Sequence, residues 1–132
     1  MDLRPRRQPL ETFANPDSRL DYATTLAGQL TFAGITDCVS VELSYVPDKL
    51  ILIPESFADY LNFIGAMDWE SLEQLATTVM SDVNNEVVGR WVRIRLSRND
   101  DGLTGLARHC VLLEDRQPNW ENAALLDGLE KG

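Results

Sequence analysis

The residues able to carry chemistry are few and poorly placed for one another. His109 is the only histidine, and Cys38 and Cys110 are the only cysteines. One imidazole does not build a histidine-based zinc site, and two distant thiols lack a metal-ligand spacing. His109 and Cys110 are neighbours in an alternating segment. Their side chains therefore face opposite ways, which disfavours a Cys–His nucleophilic pair. Asp37 and Cys38 stand in the same relation at the head of another such segment. Two further carboxylates stand at helix starts. Glu55 follows Pro54 at the head of a short helical stretch, and Glu70 opens a longer one. A carboxylate at either place answers the positive end of a helix dipole, whatever else it does.

These groups depend on the elements that hold them. The chain has 132 residues, 44% of them hydrophobic, enough for one domain with its own core. It carries 12 basic against 21 acidic residues, a formal net charge of -9. Such a field repels phosphate backbones and anionic lipid surfaces, so neither nucleic acid nor membrane is an expected partner. No run approaches the ~18 apolar residues of a spanning helix, and no apolar signal segment opens the chain. The expectation is a cytoplasmic protein with both thiols reduced and half-buried.

Residues 1–18, with Pro5, Pro9 and Pro16, read as an exposed arm, and residues 19–118 as the folded domain. Residues 119–132 read as a tail with a short helix capped by Asn119. Within the domain, Leu26, Gly28, Leu30 and Phe32 share one parity. Val39, Val41, Leu43 and Tyr45 alternate cleanly with Cys38, Ser40, Glu42 and Ser44. Both patterns are strands with one buried face. Glu55 to Ile64 suits a short helix between Pro54 and Gly65. Trp69, Leu72, Leu75, Ala76, Val79, Met80 and Val83 form one apolar stripe of a longer helix, with Asp68 as N-cap and a weakened end at Asn84-Asn85. Val92, Ile94 and Leu96 alternate with Arg93 and Arg95, and a last strand runs through Leu106 to Leu113. The order ββααββ predicts an α+β fold: a four-stranded antiparallel sheet with both helices on one face.

That order matches the tunnelling-fold (T-fold) unit of pterin and purine enzymes. The likeness sharpens at Val41-Glu42-Leu43-Ser44-Tyr45-Val46-Pro47-Asp48-Lys49-Leu50, followed by Glu55-Ser56. This stretch resembles the 7-cyano-7-deazaguanine reductases, where a strand runs through Tyr-Ile-Pro-Asp-Lys to Val-Glu-Ser. Trp69-Glu70 stands where that family has His-Glu, and Gly89-Arg90-Trp91-Val92-Arg93-Ile94 is similar to its Pro-Arg-Trp/Tyr-Val strand. The resemblance covers about Asp21 to Leu96. It implies a ring-like homo-oligomer closing a multimeric barrel, with ligand sites between subunits. It also implies substrate-binding roles for Glu55, Ser56, Trp69 and Glu70, and for Asp37 the role of the acid that protonates the substrate. A carboxylate suits the N–H donors on a guanine-like edge, because charge-assisted bonds are roughly twice as strong as neutral ones.

The match fails at the chemistry. The family's nucleophilic cysteine lies in a Cys-Pro-x-Thr motif seven residues before the aspartate. Leu30 occupies that place here, and no cysteine precedes Asp37. The lysine-bearing motif that holds the cofactor's phosphates is replaced by Phe57-Ala58-Asp59-Tyr60-Leu61, without a cation. NADPH is therefore expected only if reductase activity is retained. The expectation is a relative that binds a deazapurine, purine or pterin and performs no nitrile reduction. Two alternatives stay open: a non-catalytic partner subunit of an active T-fold enzyme, and a non-redox enzyme using Asp37 and Glu70 for acid–base work.

Overall fold

The computed structural model describes residues 9–31, 38–99 and 107–131. Its elements run β1 (Thr12–Ala14), β2 (Thr24–Thr31), β3 (Cys38–Val46), β4 (Leu50–Leu52), α1 (Pro54–Gly65), α2 (Leu72–Val87), β5 (Trp91–Asn99), β6 (Arg108–Arg116) and α3 (Ala123–Lys131). Strands β2, β3, β5 and β6 form a four-stranded antiparallel sheet in that spatial order, with β4, α1 and α2 inserted between β3 and β5 in the chain. Strands β1 and β4 make a separate two-stranded ladder. The α+β architecture with an antiparallel four-stranded sheet is as the residue pattern predicts. The described residues of the single chain form an open sheet, with β2 and β6 at its edges.

Alternation decides which face is buried. Register aligns Leu26, Leu43, Ile94 and Leu113 in one row across the sheet, and Gly28, Val41, Leu96 and Val111 in the next. The helices pack on this face through Tyr60, Leu61 and Ile64 of α1 and Leu75, Val79 and Val83 of α2, all in one core. Gly28 lets α1 approach closely: a Cβ there would lie 3.0 Å from Leu61 Cδ1, a contact that the Leu61 side chain would have to ease. The opposite, outer face carries Ser40, Glu42, Arg93, Arg95 and Ser97. The C-terminal helix reaches one end of that face, where Glu130 pairs with Arg93 and the Arg93 guanidinium lies 5.5 Å from the Trp91 ring centroid.

Three local expectations are corrected. Residues 9–18 of the arm are not simply exposed: Leu10 is buried, and Thr12–Ala14 pairs with Leu50–Leu52. The Tyr45 hydroxyl, whose pKa is raised by burial, accepts the Leu52 N–H at 2.8 Å and steadies that ladder. The N-cap of α2 is Ser71 rather than Asp68, since its hydroxyl accepts the Gln74 N–H at 2.9 Å. The helix also runs through Asn84-Asn85 to Val87. Asn84 helps to end it: its carbonyl accepts the Val88 N–H, and its side chain accepts the Gly89 N–H. Val88 adopts a left-handed conformation at that end (φ 46°), which costs a non-glycine residue about 1–2 kcal/mol. In the tail, Asn119 sits in a turn with φ 67°, and Asn122 caps α3 by accepting the Leu125 N–H at 3.1 Å.

Arg90, on the connection between α2 and β5, fastens two distant segments to its own. Its guanidinium donates to the Leu20 carbonyl and Asp21 carboxylate (3.0 and 2.9 Å), to the Ser18 carbonyl and to Asp48 (3.4 Å). Asp21 in turn accepts from Trp120 Nε1 (3.2 Å) and Asn122 (3.1 Å), which ties down the tail. Burial alone would raise the Asp21 pKa. Hydrogen bonds from Asn122, Trp120 and Arg90 outweigh it and hold the carboxyl below its ordinary 3.8. A depressed folded pKa gives stability that is present above the ordinary value and lost as pH falls through the folded one. The Trp120 indole N–H resonance should therefore lose its hydrogen-bonded shift on acidification below 3.8. In Asp21→Asn the weakened contact should already be evident at neutral pH. An unchanged resonance in that variant would show that Asp21 does not hold the tail.

Candidate ligand-binding site

The sequence-selected residues fall into two kinds, those committed to local structure and those left open. Ser56 is buried, 4% exposed, in the first turn of α1. Its hydroxyl donates to the Ile53 carbonyl at 2.7 Å and accepts the Glu11 N–H at 3.0 Å. Pro54 contributes no N–H at the head of this helix, and the residue before it, Ile53, has no side-chain cap. The Ser56 hydroxyl thus fixes the helix start and the N-terminal segment together. Trp69 is half-buried against the core, and its Nε1 donates to the Ile64 carbonyl at 2.9 Å. That bond satisfies a carbonyl of the last turn of α1.

Glu55 and Glu70 are different. Both are exposed, and neither carboxylate takes a hydrogen bond or ion pair among the described residues. Glu55 lies in the first turn of α1. Glu70 lies just past the other end, beside Trp69, with its N–H donated to Gln74 Oε1 at 2.8 Å. Ten helical steps lead from Glu55 to Gly65, about 15 Å at 1.5 Å per residue. One chain therefore presents the two carboxylates at opposite ends of α1 and not in a common cleft. Asp37 lies outside the described residues.

The aromatic residues of α1 also divide. Tyr60 is fully buried, donates its hydroxyl to Asp82 at 2.6 Å and lies 6.2 Å from the Phe57 ring, so it belongs to the core. Phe63 is 39% exposed. Cys38 and Cys110 are both exposed, a correction to the half-buried thiols expected. His109 takes the parity of the helix-covered face and meets Glu73 at 3.0 Å, while Cys110 takes the other. The His109 contact holds the Glu73 carboxyl below its ordinary pKa. The two neighbours thus face apart, as alternation requires.

Among the described residues no three His, Cys, Asp or Glu side chains converge as a metal site, and no helix is long and apolar enough to cross a membrane. What Glu55 and Glu70 offer is acceptor capacity for N–H donors. Scanning protein-family models and searching curated proteins each gave no match for this chain.

Two structural roles escaped sequence reading. Arg90 reads as part of a strand motif, and its binding of two distant segments depends on residues 42 to 72 positions away. Ser56 reads as a substrate contact, but Glu11, its partner, comes from a segment whose pairing no local pattern announces.

Proposed function

We propose that this chain is a T-fold unit, a divergent relative of the 7-cyano-7-deazaguanine reductases. It binds a guanine-like deazapurine, purine or pterin between neighbouring copies in a ring and leaves it unreduced. The observation that supports this best is that Glu55 and Glu70 remain uncommitted at opposite ends of α1, while Ser56 and Trp69 beside them are committed. A ligand held by both types of carboxylate then needs Glu55 of one copy and Glu70 of another. The open edges of β2 and β6 favour such assembly, since side-to-side pairing would satisfy their backbone groups. Leu30 in place of the family's nucleophile supports the absence of reduction. The same reading puts the protein in the cytoplasm.

Calorimetric titration with 7-cyano-7-deazaguanine, guanine and a pterin tests the proposal, alongside sedimentation of the free protein. The expected result is an oligomer that binds at least one of the three. Glu55→Gln and Glu70→Gln should each weaken binding at least about tenfold, because each replaces an acceptor oxygen with a donor facing a ligand N–H. NADPH with the nitrile should show no cofactor oxidation. A monomer that responds to none of the three ligands sinks the proposal, and turnover of NADPH sinks its non-reductive half.

A further inference from the structure

A concavity of about 340 Å³ lies on the outer face of the sheet, walled by Gln29 of β2, Ser40 and Glu42 of β3, and Arg95 and Ser97 of β5. It occupies the part of the outer face beyond Arg93, the residue that meets the C-terminal helix. Two arginines on β5 point to this face and are treated differently. Arg93 has two carboxylate partners, Glu42 at 3.7 Å and Glu130. Arg95 has none among the described residues. Its Nε is buried without a hydrogen-bond partner. Register sets Glu42 directly opposite Arg95, yet the Glu42 carboxylate leans to Arg93. The Nε–H is closed to water, whereas the two Nη groups are neither buried nor hydrogen-bonded to described residues, so they are the donors a ligand oxygen can meet. The planar guanidinium fork matches two oxygens of one carboxylate.

We infer that this concavity binds the carboxylate of a small molecule, with Arg95 as the clamp and Gln29, Ser40 and Ser97 as neutral hydrogen-bonding walls. Glu42 sets the selectivity. It stands in the wall as a second charge, so it opposes a dianion such as phosphate and favours a monoanionic carboxylate. It also accepts an N–H or ammonium group beside that carboxylate, as an α-amino acid would present. The site shares no residue with Glu55 or Glu70, so it stands or falls independently of the heterocycle reading.

The test is nuclear magnetic resonance on the full ¹⁵N-labelled chain, titrated separately with L-alanine, acetate and inorganic phosphate. The Arg95 Nε–H signal, identified by its loss in Arg95→Lys, should move saturably with both carboxylates. Alanine should bind tighter than acetate, and phosphate weakest. The Gln29 side-chain amide and the Ser40 and Ser97 backbone signals should move with it. In Arg95→Lys, which keeps the charge but loses the fork, those three should shift with at least about tenfold weaker affinity. An unchanged circular dichroism spectrum would show that the variant is folded. No saturable shift, phosphate binding as well as the carboxylates, or unchanged affinity in folded Arg95→Lys would each overturn the inference.

Discussion

Arg90→Ala is expected to lower the free energy of unfolding by about 3 kcal/mol, because it removes several charge-assisted hydrogen bonds at once, each worth about 1.5–3 kcal/mol by itself. The Arg90 side chain is 17% exposed and its carboxylate partners Asp21 and Asp48 are 28% and 29% exposed, so water screens the contacts only in part. Four acceptors lose a donor at once: two carboxylates and the carbonyls of Ser18 and Leu20. Arg90→Lys should recover less than half, because one ammonium cannot reach acceptors on both sides of a planar fork. Urea unfolding monitored by circular dichroism reads both values. A loss below about 1 kcal/mol for the alanine variant would place Arg90 with ordinary surface pairs.

Leu75→Ala should cost a similar amount, about 3 kcal/mol, by a different route. Leu75 has no exposed surface and lies on α2 where it covers the sheet. Shortening it removes apolar contact and leaves a cavity that rigid strands beneath cannot fill. Leu112→Ala is the matching control. Leu112 is 53% exposed on β6, and its truncation in the monomer should fall within about 0.5 kcal/mol of zero. The same urea titrations separate the two. Equal effects would mean that the face assigned to the core is wrong.

Much of the fold was legible because alternation and helical periodicity are local. Val39, Val41, Leu43 and Tyr45 had to share a face, and the stripe from Leu72 to Val83 had to meet it. Boundaries were harder where two residues offered the same chemistry. Asp68 and Ser71 both suit an N-cap, and only the position of the Gln74 N–H decides for Ser71. The Asn84-Asn85 pair reads as a weak stretch near the helix end because asparagine competes with helix backbone hydrogen bonds, and the helix does end close by, at Val87. Here Asn84 lends its side chain to Gly89 and Asp115 instead. The arm was misread because strand β1 is three residues long, too short for a period, and its partner lies far along the chain.

The candidate site was legible only as residue types. Helix-start position alone did not separate Glu55, which keeps a free carboxylate, from Ser56, which secures Glu11 and Ile53. Arg95 was seen as one member of an alternating strand. Its lack of a partner emerges only when Glu42, opposite it in register, is found leaning toward Arg93.

The contacts around Arg90 and Asp21 join positions 42 to 101 residues apart. Closing loops of that size costs entropy that rises with their length, so such contacts gather late, after the sheet has drawn its strands together. A cluster set last adds little to the speed of folding. Its influence falls on the reverse process, where it lengthens the lifetime of the native chain by keeping both of its terminal segments from peeling away first.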